Sequence, residues 1–163
     1  CLLSRAEMDR SRLSRFIDQP LAELPLEEPV FVSIDDPLDQ ALSQMREGSR
    51  SCVLAMDGGE LAGIFTERDV LTKCMDRDFD WRQPVGSVIT REPHTLAAGS
   101  RIADAIAMLQ QHSYRTLPVV EDGRVLGLIR LGDLLRHLAE AFPEDVLNLP
   151  PRPHQVMDKQ EGG

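Results

Sequence analysis

The chain has 163 residues, a formal net charge of −9 at pH 7, and 42% hydrophobic residues with one Trp and one Tyr. The negative charge repels phosphate backbones and argues against DNA or RNA binding, while the lack of any run of about 20 apolar residues argues against a membrane span. We expect a soluble, cytoplasmic protein with an aliphatic core, built as one domain or as two small units that share burial.

Hydrophobic periodicity predicts an N-terminal helix and then five elements in the first half of the chain. Residues 2–18 form a partly amphipathic helical pattern that ends before Pro20. The next elements are an extended run at 30–34, a helix at 37–47, strands at 51–56 and 60–65, and a helix at 67–73. Asp36, before Pro37, is the predicted N-cap of the first of these helices. Gly58 and Gly59 predict a hairpin turn, because glycine supplies the positive φ of tight β-turns.

The second half repeats this order. Its predicted elements lie at 95–97, 102–111, 116–120, 124–129 and 132–141, and a shift of 64 residues lays 20–74 over 84–138. One repeat alone is too small to bury a sufficient core, so the two should pack together. We therefore predict an α/β (α+β) fold in which two β-α-β-β-α repeats are related by pseudo-two-fold symmetry.

These patterns divide the chain into five parts. They are an N-terminal helix at 1–19, a first repeat at 20–75, a linker at 76–83, a second repeat at 84–141 and a C-terminal extension at 142–163. The proline-rich extension is expected to be solvated or loosely wrapped, with a docking peptide as the alternative.

The most informative motif lies where the second strand of each hairpin meets a helix. Thr66 takes the N-cap position and Asp69 follows three residues later, which is the pattern of a capping box. The same geometry also suits a ligand, because a helix N-terminus attracts phosphate and a carboxylate can accept hydrogen bonds from a ribose diol. The second repeat keeps Asp133 but has Arg130 in place of Thr66, so a capping box does not explain Asp133. Stabilisation of a first-turn Asp by the helix dipole remains an alternative.

These residues resemble a known family. The pattern Gly-apolar-x-Thr-x-x-Asp after a hairpin, the run from Tyr114 to Arg124, and Val88-Ile89-Thr90 before the second copy are similar to the cystathionine-β-synthase (CBS) domain. The resemblance covers residues 20–140, as a tandem pair of the kind called a Bateman module.

The resemblance implies an adenosine-containing ligand in clefts between the repeats. AMP, ADP or ATP is expected, and S-adenosylmethionine less so. Asp69 and Asp133 would each hold a ribose, and Thr66 would contact phosphate or ribose. Arg130 departs from the family Thr or Ser; it could reach a phosphate, or it could be a solvent-exposed residue at a strand end.

The resemblance also implies positions for the adenine. The implied residues are Phe31, Cys52 and Val53 in the first copy, and Thr95, Tyr114 and Pro118 in the second, with Arg115 as a further phosphate ligand. Ordinary core packing is the alternative for these positions. The differences Leu54/Pro118 and Ser51/Arg115 predict that the two sites are not equivalent.

Catalysis has no support in the sequence. The four His residues show no metal-ligand spacing, the three Cys residues show no CxxC pair, and P-loop and dinucleotide-binding glycine motifs are absent. Paired carboxylates at 27–28 and 35–36 are interpreted as turn and cap residues. We predict no enzyme, no metal site and no required cofactor.

The sequence thus favours a regulatory module that senses an adenine nucleotide and signals by conformational change. The alternatives are a ligand-free structural dimerisation module, or a regulatory fragment of a larger enzyme or transporter. The resemblance further implies a homodimer, which the apolar faces of helices 37–47 and 101–111 could form, and an unknown target protein.

Overall fold

The computed structural model describes residues 5–142. Helix α1 (Arg5–Ile17) comes first. The first repeat contains β1 (Phe31–Ser33), α2 (Leu38–Glu47), β2 (Cys52–Asp57), β3 (Glu60–Thr66) and α3 (Glu67–Lys73). After β4 (Thr90–Arg91), the second repeat contains β5 (Leu96–Ala97), α4 (Ile102–His112), β6 (Thr116–Glu121), β7 (Arg124–Arg130) and α5 (Leu131–Ala141). The predicted β-α-β-β-α order is confirmed in both copies.

The start of α2 differs from the prediction. Pro37, not Asp36, is its N-cap residue, and the first helical amides bond to the linker: Leu38 N–H donates to Gln83 O at 3.0 Å and Asp39 N–H donates to Trp81 O at 2.9 Å. The Asp36 carboxylate instead accepts a hydrogen bond from the Ser33 amide at 2.8 Å. A tertiary contact therefore replaces the local cap.

The strands form two sheets with the same design. One has the order β1-β2-β3-β4 and the other β5-β6-β7. In each, the first strand is parallel to the second, the hairpin is antiparallel, and the register shifts at the same place, after Ala55 and after Val119. These two positions are 64 residues apart, as the repeat requires.

The first residues of each repeat pack on the other repeat. We call residues 20–28 and 84–91 the first and second leading segments. Leu21 N–H donates to Ser100 O and Val85 N–H donates to Asp36 O, each at 2.8 Å, and both contacts obey the 64-residue register. Their apolar residues enter the opposite cores, which contain Leu21 and Leu24 with the second repeat, and Val85, Val88 and Ile89 with the first.

A third apolar cluster joins the two hairpins. Its buried members are Cys52, Leu54, Ile64 and Leu128. Burial is therefore shared between the repeats in two ways, through the exchanged leading segments and through this central cluster. That arrangement agrees with the expectation that one repeat alone has too small a core.

Helix α1 packs against the C-terminal end of α5. Phe16 of α1 lies edge-on to Phe142, with ring centroids 6.0 Å apart, and both are buried. Residues 143–163 of the predicted C-terminal extension lie outside the described residues. In the described part, no helix is long and apolar enough to cross a membrane.

The apolar faces of α2 and α4, which we expected to form a dimer contact, are used inside the chain. Their buried residues are Leu38, Ala41 and Met45 in the first core and Ile102, Ala105 and Leu109 in the second. Exposed leucines lie on α3 and α5, where Leu71 and Leu135 occupy equivalent positions and are 69% and 58% exposed. The six buried residues of α2 and α4 cover the sheets of their own repeats and are not free for a dimer contact, while the homodimer itself stays a prediction.

Candidate ligand site between the repeats

Thr66 and Asp69 form a complete capping box at the start of α3. The Asp69 amide donates to Thr66 Oγ1 at 3.3 Å, while the Thr66 amide and hydroxyl donate to Asp69 Oδ2 at 2.8 and 3.0 Å. Asp69 Oδ1 lies 2.7 Å from Lys73 Nζ and accepts from the Thr90 hydroxyl at 3.3 Å. Asp69 is buried, and three hydrogen-bond donors and the Lys73 ammonium group surround its carboxylate.

Asp133 has the equivalent position but a different partner. Arg130 precedes α5, and its guanidinium donates to both Asp133 oxygens, from Nε to Oδ2 at 3.1 Å and from Nη2 to Oδ1 at 3.3 Å. Arg136 Nη1 lies 3.7 Å from Oδ1. The hydrogen bonds to Asp133 and the charge of Glu27 raise the pKa of Arg130 above its ordinary value. Arg130 therefore has the N-cap position of α5, but its side chain forms an ion pair and no capping hydrogen bond.

Glu27 joins this pair from the first leading segment. Its backbone exchanges two hydrogen bonds with Leu128, both at 2.9 Å, which fixes its side chain beside Arg130. Oε1 lies 2.5 Å from Arg50 Nη1, and Oε2 lies 2.5 Å from Arg130 Nε, with the Glu27 side chain 9% exposed. The sequence interpretation of Glu27 as a turn or cap residue was wrong, because its partners are distant in sequence.

The ion pair between Glu27 and Arg130 lacks hydrogen-bond geometry. The Arg130 Nε–H bond is directed at Asp133, so Glu27 Oε2 is a buried oxygen without a hydrogen-bond donor among the described residues. This oxygen is attracted by the positive charge of Arg130, but it lacks the additional stabilisation that a hydrogen bond would give.

These side chains line an open cleft of about 390 Å³. Its lining comes from the first leading segment, the loop after α2, the end of β7 and α5: Pro25, Leu26, Glu27, Glu28, Arg50, Arg130, Asp133, Arg136, His137 and Glu140. Guanidinium groups suit phosphate or carboxylate, and carboxylates suit hydroxyl or amino groups. The cleft can therefore bind a ligand that carries both kinds of group.

Two of the predicted site residues, Arg130 and Asp133, line this cleft. Cys52, Val53 and Pro118 are almost fully buried, so their side chains pack in the interior. Phe31 is 47% exposed on β1. The core-packing alternative therefore describes the side chains of Cys52, Val53 and Pro118.

Of the predicted residues of the second copy, Tyr114 belongs to an aromatic cluster away from the cleft. Tyr114 stacks on His112 with ring centroids 5.1 Å apart, and His112 stacks on His94 at 4.3 Å. Thr95 is half-buried and Arg115 exposed. None of these residues is among those that line the cleft beside Asp133.

The described part of the chain offers little evidence for a nucleophilic cysteine or a metal site. Burial raises the pKa of the Cys52 thiol to about 11, and the charge of Glu27 adds to this shift. The thiol is therefore protonated at neutral pH and is a poor nucleophile. Between residues 5 and 142, no cluster of three or more His, Cys, Asp or Glu side chains could hold a metal ion.

Known proteins resemble this chain over most of its length. It is 26% identical over 137 residues to the protein MJ1225 of Methanocaldococcus jannaschii, covering 83% of this chain and 48% of that protein. The chain thus spans about half the length of this relative.

Two solved structures show the same fold. One is a protein with CBS domains from Burkholderia ambifaria, with a TM-score of 0.66 and 26% identity, covering 76% of this chain and 93% of that one. The other is the CBS domain pair of protein MJ0100, solved with 5′-methylthioadenosine and S-adenosyl-L-methionine, with a TM-score of 0.66 and 17% identity, covering 75% of this chain and 97% of that one.

The CBS domain profile matches this chain twice, at residues 21–76 and 85–140. The two matches follow the repeat seen in the sequence and in the sheets, and together they cover more than half of the chain. The chain therefore belongs to the CBS-domain family and carries two CBS domains in tandem.

Proposed function

We propose that this chain is a regulatory module that binds an adenosine-containing ligand in the cleft beside Asp133. The observation that carries the proposal is the cleft itself, in which Arg50 of the first repeat and Arg130 and Asp133 of the second face a common space. CBS pairs are regulatory modules and can bind adenosine ligands, and the complex of protein MJ0100 with two such ligands supports this ligand class.

In this proposal the arginines and Asp133 of the cleft have separate roles. Asp133 accepts hydrogen bonds from the ribose hydroxyls, and Arg50, Arg130 and Arg136 contact phosphate oxygens. AMP, ADP or ATP is the proposed ligand. Adenine lies against the apolar lining that Pro25 and Leu26 supply. Phe31, Thr95, Tyr114 and Arg115 do not line this cleft, so the proposal gives them no contact with the ligand.

We propose that Asp69 has a structural role and that the Asp133 cleft is the main ligand site. A ribose at Asp69 must displace Lys73 or Thr90, as well as the Thr66 contacts that form the cap. Breaking a buried charge pair is costly, so the Asp133 cleft should fill first. This proposal agrees with the expected inequivalence of the two sites.

The signal is proposed to be a change in how the two repeats pack. A ligand held by residues of both repeats stabilises one arrangement over another by its differential affinity. A homodimer through the exposed faces of α3 and α5 would transmit that change to a target protein, or to another part of a longer protein. Leu71, Leu131 and Leu135 are the exposed apolar side chains on those faces.

Isothermal titration with AMP, ADP, ATP and S-adenosylmethionine tests the proposal. Asp133→Ala should weaken binding at least about tenfold, because charge-assisted hydrogen bonds to the ribose are lost. Asp69→Ala is the matched variant at the equivalent position. It should lower stability by about 1–2 kcal/mol through loss of the cap while leaving the affinity of the folded protein within about twofold.

Two results would contradict the proposal. If the wild type binds none of these ligands at millimolar concentration, ligand sensing is wrong. If Asp69→Ala removes binding and Asp133→Ala does not, the wrong cleft has been assigned.

A structural association module is the second candidate. The exposed leucines at equivalent positions of α3 and α5, and a groove of about 590 Å³ between α2 and α3 lined by Leu42, Met45, Val70 and Leu71, favour it. The same titrations separate the candidates, because an association module forms its dimer without binding any of the four ligands.

A further inference from the structure

Glu27 occupies the place between two guanidinium groups that an anionic ligand would need. Its carboxylate lies 2.5 Å from Arg50 Nη1 and 2.5 Å from Arg130 Nε, so one carboxylate bridges a cation of the first repeat and a cation of the second. The bridge is well shielded, since the Glu27 side chain is 9% exposed. Arg50 and Arg130 are therefore already neutralised before any ligand arrives.

The net charge of the cleft also indicates that its arginines are neutralised without a ligand. Three cations line it, Arg50, Arg130 and Arg136, against four anions, Glu27, Glu28, Asp133 and Glu140, which leaves a formal excess of one negative charge with His137 neutral. A phosphate added to this lining meets like charges in a partly buried space, where repulsion is weakly screened. A phosphate that replaces the Glu27 carboxylate meets two guanidinium groups instead.

The second leading segment has a different residue at the position that corresponds to Glu27. In the 64-residue register, Glu27 corresponds to Arg91, and Arg130 corresponds to Thr66. Arg91 donates to Gly86 O at 3.3 Å, and Thr66 completes its capping box. The bridging carboxylate is thus a property of the Asp133 cleft and not a requirement of the repeat fold.

We propose that Glu27 is the specificity-determining residue of this cleft, an internal anion that competes with ligand phosphate for Arg50 and Arg130. Adenosine ligands without phosphate bind while Glu27 keeps its place, whereas AMP, ADP and ATP bind only by displacing its carboxylate. The inference rests on the proposed function, because it concerns how the same cleft selects among adenosine ligands. The buried Oε2 atom, which lacks a hydrogen-bond donor among residues 5–142, is the weaker-held end of the bridge.

Titration of the wild type and of Glu27→Gln with adenosine, AMP and pyrophosphate tests this role. Glu27→Gln keeps the shape of the side chain but removes its charge. It should bind AMP and pyrophosphate about tenfold more tightly than the wild type does, while the affinity for adenosine stays within about twofold. Asp18→Asn is the matched control, because it removes a carboxylate that pairs with Arg101 at 3.2 Å outside the cleft. It should change none of the three affinities.

The outcomes separate the two proposals. Equal changes in AMP and adenosine affinity, or a pyrophosphate affinity unchanged by Glu27→Gln, overturn the role of Glu27 and leave ligand sensing intact. If adenosine and AMP bind to neither protein, the proposed function fails, and pyrophosphate alone decides whether Glu27 blocks the arginine pair.

A second variant guards against loss of folding. Circular dichroism shows whether Glu27→Gln is folded at the assay temperature. Should it unfold, Glu27→Asp retains the charge but is too short to bridge both arginines, and it should show a smaller shift in the same direction for pyrophosphate. No shift in a folded Glu27→Asp overturns the inference.

Discussion

Asp69 and Asp133 are equivalent in the repeat but have different chemical surroundings. Asp69 is held by the capping box with Thr66 and by Lys73, and is 6% exposed. Asp133 makes a two-point contact with Arg130 and faces the open cleft. Three residues before the Asp, the first repeat has Thr66 and the second has Arg130. The hydroxyl of Thr66 forms a capping box, whereas the guanidinium of Arg130 forms an ion pair.

The buried Cys52 thiol predicts a pH-dependent loss of stability. Its pKa is about 11 in the folded chain against 9.0 for a free thiol, so the unfolded state loses its proton first. The contribution is fully present below about pH 9 and declines as pH rises from 9 towards 11, by about 2–3 kcal/mol in all. Urea unfolding at intervals between pH 7 and 11 measures this decline.

Cys52→Ala is the control for that experiment, because other groups titrate in the same range. The variant should be less stable at pH 7 but should lose less stability between pH 9 and 11 than the wild type loses. Parallel stability profiles for the two proteins would mean that the Cys52 pKa is not raised by folding.

Sequence patterns predicted the local contacts of single residues but not their tertiary contacts. Thr66 and Asp69 were predicted as cap and first-turn residues because both lie within one helical turn. Glu27 was missed because its partners belong to other elements, with Arg50 already 23 residues away. Local patterns do not reveal an ion pair that only tertiary packing creates.

At the scale of elements, each hairpin carries a glycine where a leading segment crosses it closely. A Cβ atom at Gly127 would lie 2.5 Å from Leu26 Cβ and 3.1 Å from Glu27 O. A Cβ atom at Gly63, the equivalent position, would lie 2.5 Å from Thr90 O. Glycine is required here by the close approach of two backbones.

Gly127→Ala should therefore lower the free energy of unfolding by about 1–3 kcal/mol, because the first leading segment must move away from β7. Gly132→Ala is the matched control in α5, since no described atom lies within 4 Å of a Cβ at that position. It should be neutral or stabilising by up to about 1 kcal/mol. Urea midpoints measure both changes, and a Gly127→Ala protein as stable as the wild type would contradict the close packing.

The element order was predictable because each helix and hairpin has its own periodicity and turn residues. β4 was missed, since Thr90 and Arg91 form a strand only by pairing with Ile64 and Gly63 of the other repeat. The 3-10 helices at Leu21–Glu23 and Val85–Ser87 were also missed, because three residues are too few to give a periodic pattern.

At the scale of the whole molecule, the exchanged leading segments make each core depend on the other half of the sequence. Leu21 is fully buried among residues of the second repeat, and Val85 is fully buried among residues of the first. The central cluster around Cys52 and Leu128 adds a further shared interface. Neither core is complete within one sequence repeat, so the two should unfold together.

Leu21→Ala and Val85→Ala test this coupling as an equivalent pair. Each variant creates a cavity in the core of the opposite repeat. Leu21→Ala should lower the free energy of unfolding by about 2–5 kcal/mol, and Val85→Ala should lower it by less because valine is smaller. Because the cores share the leading segments and the central cluster, differential scanning calorimetry should show one transition, at a lower temperature, for both variants. Two separate transitions, with one repeat melting at the wild-type temperature, would contradict the coupling. A cooperative pair is also what the proposed signalling requires, since a ligand bound in one cleft would then alter the stability of both repeats.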